Sequence, residues 1–556
     1  MNGEQKKKNN SFLIQGAILA AAGIITRLIG LAYRIPVNNI LGDEGQGFYG
    51  CAFSIYNIAL LLTSYSLPLA VSKLVSARSS KGAHKNAMRI FKGALLFAIA
   101  VGALVGLIVF LFADFIAGNI MSLRLSAYAL RVLAPCLFVV AVMGVVRGYF
   151  QGLGTMVPTA VSQILEQIVN AIVSIVGASY LLEMGKKVAE SKTEPSLPFA
   201  YGAAGGTLGT LMGAVFGLVF LLVLLKLYYP TMKRRIVRDH THAQEGYKEI
   251  YTALILTIAP VILSTAIYNI NDTIDQGIFS SVMLTQGHSE KQAAEFLGMF
   301  TGKYNTLIHI PLAVANALGS SLIPSLTASV ANGTKVEIRS KISMVIRFAM
   351  LVAIPSCVAF FVMPHQILSL LYVGNISIPA KMLRIGAITV VFYCLSTVTN
   401  SILQGLNKMT TPVKHGAISL AIHLVAVVVM LVGFKWEIYS LVVGNIIFSL
   451  SMCILNAMAI RKVSGYHQEV KKTFVVPFGA SFIMCIIILV VWNATAIFTP
   501  EKLATLVTII FAGVSYVVAL LKLGALTSDE ILAFPKGTKI LALLQKVKLV
   551  KTEETV

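Results

Sequence analysis

Residues 12–40 read FLIQGAILAAAGIITRLIGLAYRIPVNNI, and this stretch decides the fold. It is long enough to cross a hydrocarbon core of roughly 30 Å as a helix. It holds no acid, and its charges are Arg27 and Arg34. Lys6, Lys7 and Lys8 precede it as the basic flank of a signal peptide would, but the apolar run passes Arg27 without a small-residue cleavage site. The stretch therefore reads as a first membrane helix that stays in the protein.

The same texture continues through the 556 residues. Hydrophobic residues make up 57% and charged residues 12%, whereas soluble chains carry about 25% charged residues; mean hydropathy is +0.81. Apolar blocks predict an all-α polytopic membrane protein of about fourteen transmembrane helices. They lie near 12–40, 47–77, 88–113, 121–150, 157–182, 202–228, 250–283, 300–330, 342–372, 380–405, 412–433, 438–460, 473–494 and 502–523. The net charge of +22 comes from short basic clusters between apolar blocks, without interleaved aromatics, which argues against nucleic acid. It reads as topology: alternate loops hold roughly 30 basic residues against roughly 9, which puts both termini in the cytoplasm. The six cysteines are scattered without metal-site or disulfide spacing and read as packing residues.

The chain repeats itself. Arg131 followed by Gln151-Gly152-Leu153, Met156 and Pro158 recurs as Arg384 followed by Gln404-Gly405-Leu406, Met409 and Pro412. Tyr56-Asn57 and Leu67-Pro68-Leu69-Ala70 recur as Tyr304-Asn305 and Ile310-Pro311-Leu312-Ala313. This divides the chain into a tail (1–11), an N-lobe of six helices (12–228), a basic linker (229–249), a C-lobe of six helices (250–462), helices 13 and 14 (473–523) and a basic tail (524–556). Parallel repeats are a transporter plan with the substrate site at the repeat interface. No nucleotide-binding loop, metalloprotease motif or nucleophile elbow appears, so a transporter is expected and not an enzyme.

Charged and polar residues inside the apolar blocks are the candidate site. An arginine at membrane depth costs at least ~2.5 kcal/mol and normally faces a cavity or a partner. Arg27 and Arg34, seven residues apart, share one helical face with Gly30 between them. Arg27 reads either as an anion ligand or as the partner of a neighbouring acid, for which Glu166 is available. Arg34 reads as substrate contact or as a side chain snorkelling to headgroups, and Arg147 as substrate contact or a headgroup ligand. Gln163, Glu166, Gln167 and Asn170 form one polar face of the fifth segment, and Asn305, His309 and Asn316 a similar face of the eighth. These faces line a wet cavity or make interhelical hydrogen bonds. Asp272 and Asp275, with Asn269 and Gln276 nearby, could hold Na⁺ or a proton for coupling, or pair with a cation. Gly205, Gly209 and Gly213 are small-xxx-small steps for close helix packing. His240 and His242 lie in the basic linker, where a metal site is not expected.

Thr26-Arg27-Leu28-Ile29-Gly30, Tyr33-Arg34-Ile35-Pro36, Leu41-Gly42-Asp43-Glu44-Gly45 and Pro68-Leu69-Ala70-Val71-Ser72-Lys73 carry a resemblance. The chain resembles the multidrug/oligosaccharidyl-lipid/polysaccharide exporter superfamily, in the branch holding stage V sporulation protein B and the MurJ-type lipid II flippases. That resemblance implies two six-helix lobes and two C-terminal helices in a V around a central cavity, worked by alternating access in the bacterial cytoplasmic membrane. It implies a cationic wall for an undecaprenyl-pyrophosphate-linked glycan, lipid II or another polyprenyl-linked unit for capsule, teichoic acid or spore cortex. Arg27 matches the family's first-helix arginine; a second falls on or next to Tyr33, one position from Arg34. A family arginine in the eighth helix has no arginine counterpart, and Lys303 and His309 are what that stretch offers. No bound cofactor is implied; a Na⁺ or H⁺ gradient or the membrane potential would drive transport. Anionic lipids and cell-wall synthesis enzymes are the expected partners, and a cation-coupled multidrug exporter is the rival within the superfamily.

Overall fold

The computed structural model describes residues 2–64, 66–192, 194–239, 241, 244–331 and 333–524. His240, His242 and the basic tail beyond 524 lie outside the described residues. The helices are α1 (Asn2–Thr63), α2 (Leu67–Ser79), α3 (His84–Leu111), α4 (Ala127–Gly152), α5 (Val157–Lys192), α6 (Leu197–Val237) and α7 (Tyr247–Thr285). There follow α8 (Glu290–Ala331), α9 (Lys335–Val362), α10 (Ser377–Gly405), α11 (Thr410–Gly433), α12 (Tyr439–Ser464), α13 (Lys471–Thr495) and α14 (Glu501–Lys522).

Among the described residues 12 spans are long and apolar enough to cross a membrane. The sequence's first two segments merge in one of them, Ala21–Ser79, whose 59 residues would reach about 88 Å at 1.5 Å per residue, enough for two crossings. Tyr247–Thr285 is not one of these 12.

Several boundaries differ from the sequence reading. The turn expected after residue 40 is a kink inside α1 at Gly42 (φ 64°, ψ −177°), a conformation open to glycine, and helix resumes at once. The helix ends at Thr63 and a new one starts at Leu67, where Pro68 takes a first-turn position whose missing N–H breaks no intrahelical bond. The segment read as 342–372 breaks at Met363, before Pro364, into α9 and a short helix, Pro364–Leu371. The stretch between the segments read as 157–182 and 202–228 is helix to Lys192, and α6 runs on to Val237, well into the stretch read as linker.

The chain forms two compact units, Met1–Gly302 and Lys303–Val556. In the first, α5 and α6 lie along each other through glycine. A Cβ on Gly177 would sit 2.6 Å from the Gly205 carbonyl, and one on Gly213 would sit 2.6 Å from the Glu166 carbonyl. Gly205, Gly209 and Gly213 therefore form the close-approach ridge that small-xxx-small spacing predicts. Gly148 and Gly152 of α4 press on α2 in the same way, at Pro68 and Val75. Gly47 of α1 and Gly298 of α8 pack so closely that a Cβ on either would strike the other segment's backbone, at Ala294 and Asp43. That contact joins the opening of α8 to the first unit, and Met299–Tyr304, where the units divide, is π-helical.

In the second unit α10 packs on α8, α9 and α12, and α11 on α12. Gly405, the repeat partner of Gly152, meets Leu326 of α8 as Gly152 meets Val75 of α2. The repeated triplet thus does the same packing task in each unit. Helices α13 and α14 pair with each other, and Met484, Ile488, Ala512 and Tyr516 bury against Met363. The Tyr516 hydroxyl donates to the Leu351 carbonyl at 2.8 Å.

The segment after α6 is latched to the start of α3. Asp239 accepts the Lys85 amide at 2.6 Å and the Thr241 amide at 2.8 Å, so it caps an N-terminus it does not belong to. Arg78 grips Glu245 with two nitrogens, at 2.9 and 3.1 Å, and the Glu245 amide donates to Asn86 at 3.1 Å. Burial raises the Asp239 pKa, but these amides, the Thr241 hydroxyl and the Lys85 charge outweigh it and bring the carboxyl to about 2, from 3.8.

Two outcomes are expected. Gly205→Ala places a methyl against the α5 backbone and lowers detergent stability by about 1–3 kcal/mol, while Gly513→Ala, with nothing within 4 Å, does not lower the melting temperature. A depressed pKa stabilises above the ordinary value of 3.8 and loses that contribution as pH falls through about 2. Hydrogen-exchange protection of the Lys85 amide should therefore hold from neutral pH to that ordinary value and decline below it, and Asp239→Ala should lose it at every pH.

Candidate functional site

The polar seam of the first unit is built where α1, α4, α5 and α6 meet. On α4, Arg147 reaches across the turn to α5: its Nη2 donates to Glu166 Oε2 at 2.8 Å and its Nε to Ser162 Oγ at 3.0 Å. The two charged side chains are 12% and 21% exposed. The acid that the sequence offers to Arg27 is thus the partner of Arg147, because Arg147 lies in the last turns of α4 and the short turn that follows folds α5 back beside it. One turn along α5, Asn170 donates to the Tyr33 hydroxyl at 3.1 Å and accepts from Ser174 at 2.9 Å. Gln163 and Gln167 are half-buried, and Gln167 Oε1 lies 3.8 Å from where a Gly30 Cβ would stand.

Half of the α5 polar face is therefore interhelical glue. Asn170 is buried against Tyr33, under the glycine ridge that brings α6 close. Arg27 and Arg34 stand one turn to either side of Gly30 on the same helix and are exposed. Their neighbourhood on α1 and α5 offers phenol, amide and guanidinium groups, and its one described carboxylate, Glu166, is already engaged by Arg147. Arg27 and Arg34 thus place two cations at exposed positions of α1, with Gln167 of α5 beside the intervening Gly30.

The other candidate residues are more dispersed. Lys303 is 1% exposed, and its ammonium donates to the Asn375 carbonyl at 3.0 Å and lies 3.5 Å from that of Val373. It serves the chain just past the short helix Pro364–Leu371, where carbonyls lack helical donors. Asn305 is half-buried, and His309 and Asn316 are exposed along α8. Of the α7 acids, Asp272 is exposed while Asp275 is 1% exposed, so the carboxylates meet different surroundings despite their spacing. The side chain of Asn269 lies outside the described residues.

Sequence reasoning passed over two buried polar features of the second unit. Arg347 is buried in α9; the available signal was a lone charge inside ISMVIRFAMLVAI. His415 of α11 shares a 2.7 Å hydrogen bond with Asn456 of α12, which donates to Thr399 at 3.0 Å and Asn400 at 2.8 Å on α10. Isolated histidines and asparagines in separate segments carry no local pattern, so only the packing assembles them.

Comparison with known proteins agrees with this architecture. A family model described as polysaccharide biosynthesis protein matches residues 13–330, and the MatE model matches residues 302–429. The chain is 26% identical over 485 residues to the lipid II flippase MurJ of Bacillus subtilis (strain 168), covering 84% of this chain and 86% of that protein. It is 25% identical over 467 residues to stage V sporulation protein B of the same organism, covering 83% and 86%. Among solved structures, lipid II flippase MurJ in an inward closed conformation aligns with a TM-score of 0.66 at 12% identity, over 90% of this chain and 98% of that one. An inward-facing multidrug resistance MATE transporter of the MOP superfamily aligns at 0.60 with 16% identity, over 79% and 96%. At these identities the structural likeness shows the fold.

The ion pair of the seam yields a direct expectation. Glu166→Gln leaves the Arg147 guanidinium without its counter-charge and should cost about 3 kcal/mol. The double variant Arg147→Met with Glu166→Leu should recover most of that loss. Equal thermal destabilisation of single and double variants in detergent would mean that the pair is not a coupled unit.

Proposed function

Because the chain belongs to the polysaccharide biosynthesis protein family, in the MurJ and stage V sporulation protein B branch of the MOP superfamily, we propose that it is a flippase for lipid-linked oligosaccharides, with lipid II as its substrate. The observation that carries this reading is the exposed arginine pair of α1, Arg27 and Arg34, beside a seam whose acid is already paired. A multidrug exporter of cationic compounds would want the reverse polarity. Arginine presents a planar fork of donors that matches phosphate oxygens two at a time, so two exposed arginines on one face of α1 suit a diphosphate. Gln163 and Gln167 supply neutral hydrogen-bonding groups of the kind a sugar requires.

The isoprenoid tail needs an apolar surface that keeps it out of water while the headgroup is carried. In this reading transport runs by alternating access in the cytoplasmic membrane, with both termini inside. Asp272 and Asp275 are the groups through which a Na⁺ or proton gradient would act, and cell-wall synthesis enzymes supply and consume the substrate. The near-equal identities to MurJ and to stage V sporulation protein B, 26% and 25%, support a second reading. In it the same chemistry serves another polyprenyl-linked glycan, such as one of the spore.

Complementation separates these. A bacterium depleted of its own lipid II flippase should regain growth when this chain is expressed, and Arg27→Ala at equal membrane abundance should not restore it. A correctly inserted wild-type protein that gives no rescue would move the substrate to another polyprenyl-linked unit. Full rescue by Arg27→Ala would remove the cationic wall from the account.

A further inference from the structure

Helix α6 is longer than a membrane requires. It has 41 residues against the 26 of α12, its counterpart in the repeat, and the fifteen-residue difference adds about 22 Å at 1.5 Å per residue. The added end, residues 226–238, reads KLYYPTMKRRIVR, with Lys226, Lys233, Arg234, Arg235 and Arg238 and no acid. Leu227, Tyr229 and Val237 are exposed among those cations. Exposed aliphatic and aromatic groups alternating with basic ones suit the boundary between acyl chains and headgroups.

A cavity of about 510 Å³ opens beside this end. Phe150, Leu153 and Pro158 wall it from the α4–α5 turn, and Leu224, Tyr228 and Arg235 from α6. Leu153 and Pro158 belong to the repeated Gln-Gly-Leu motif, so the motif has a second use in this unit beyond packing. Tyr228 lies against Phe150 with ring centroids 6.1 Å apart, and the Arg235 guanidinium stands 5.9 Å from the Tyr228 ring centre. That cation–π contact sets a charged fork beside mostly apolar walls, to which Thr155 also contributes. A second cavity of about 370 Å³, bordered by Lys233, Arg234 and Arg238, follows along the same helix.

We propose that this cleft binds an anionic diacyl phospholipid of the leaflet that meets the basic loops, with the phosphate at Arg235 and its basic neighbours and an acyl chain along Phe150, Leu153 and Leu224. Charge complementarity selects this occupant: Arg235 lines the cleft, and Lys233, Arg234 and Arg238 line the cavity that follows, beside an apolar wall that a soluble anion has no use for. The inference goes beyond the transport reading, since it concerns a resident lipid and not the cargo. Bound there, the lipid would tie the end of α6 to the α4–α5 turn.

Native mass spectrometry of the full chain in mild detergent tests this with dioleoylphosphatidylglycerol against dioleoylphosphatidylcholine. The phosphatidylglycerol should be retained preferentially, and Arg235→Ala and Arg238→Ala, both at exposed positions, should each lower its retention about fivefold. Lys462→Ala at the end of α12 should leave retention unchanged, and matched melting temperatures keep loss of binding distinct from loss of fold. Equal retention of the two lipids, unchanged retention in both arginine variants, or an equal loss in Lys462→Ala would overturn the proposal. Displacement by millimolar inorganic phosphate would show a free-anion site, and preference for a polyprenyl phosphate would show a cargo site; either result also overturns it.

Discussion

A lipid bilayer cannot solvate a bare charge, and the rest of this structure follows from how each intramembrane cation is answered. Arg147 is answered by Glu166 across a helix turn, and Lys303 by the carbonyls of Val373 and Asn375. Arg27 and Arg34 stand exposed on α1. The cost of placing arginine in hydrocarbon is the same for all. The surroundings differ: Arg147 sits where the chain folds back on itself and its side chain is 12% exposed, while Arg27 and Arg34 flank Gly30 at exposed positions of α1. Structural cations and candidate substrate ligands are thereby separated by their surroundings and not by residue type.

Close packing of glycine sets that arrangement. Because α5 and α6 approach until backbone meets backbone at Gly177 and Gly205, Asn170 is turned toward Tyr33 and its hydrogen-bonding capacity is used within the unit. The same closeness leaves Gln163 and Gln167 half-buried. A polar stripe that could have been wholly wet is partly glue, and the portion left over lies near the arginines. The repeated Gly152 and Gly405 show the principle recurring in both units.

Much of this was legible in the amino-acid order. Hydropathy exposes the helices because each must satisfy its backbone internally in lipid, and Gly205, Gly209 and Gly213 announced a close helix contact through spacing alone. What escaped was long-range or conformational. Glu166 suits Arg27 or Arg147 equally well until the α4–α5 turn is known. The kink at Gly42 looked like a loop because a positive φ at one glycine interrupts a helix without ending it. Lys303 looked like a substrate ligand because its carbonyl partners lie about seventy residues away and carry no sequence mark. The His415–Asn456 network likewise exists only once three helices pack.

The central claim is that the arginine face of α1 carries a lipid-linked anionic glycan across the membrane. The most direct measurement is translocation in proteoliposomes made with purified protein and fluorescent lipid II. A membrane-impermeant enzyme that cleaves the headgroup reports how much substrate reaches the opposite leaflet. The account predicts transfer by the wild-type chain and its loss when Arg27 and Arg34 are both replaced by glutamine in a normally folded protein. Transfer that survives this double replacement would contradict the claim.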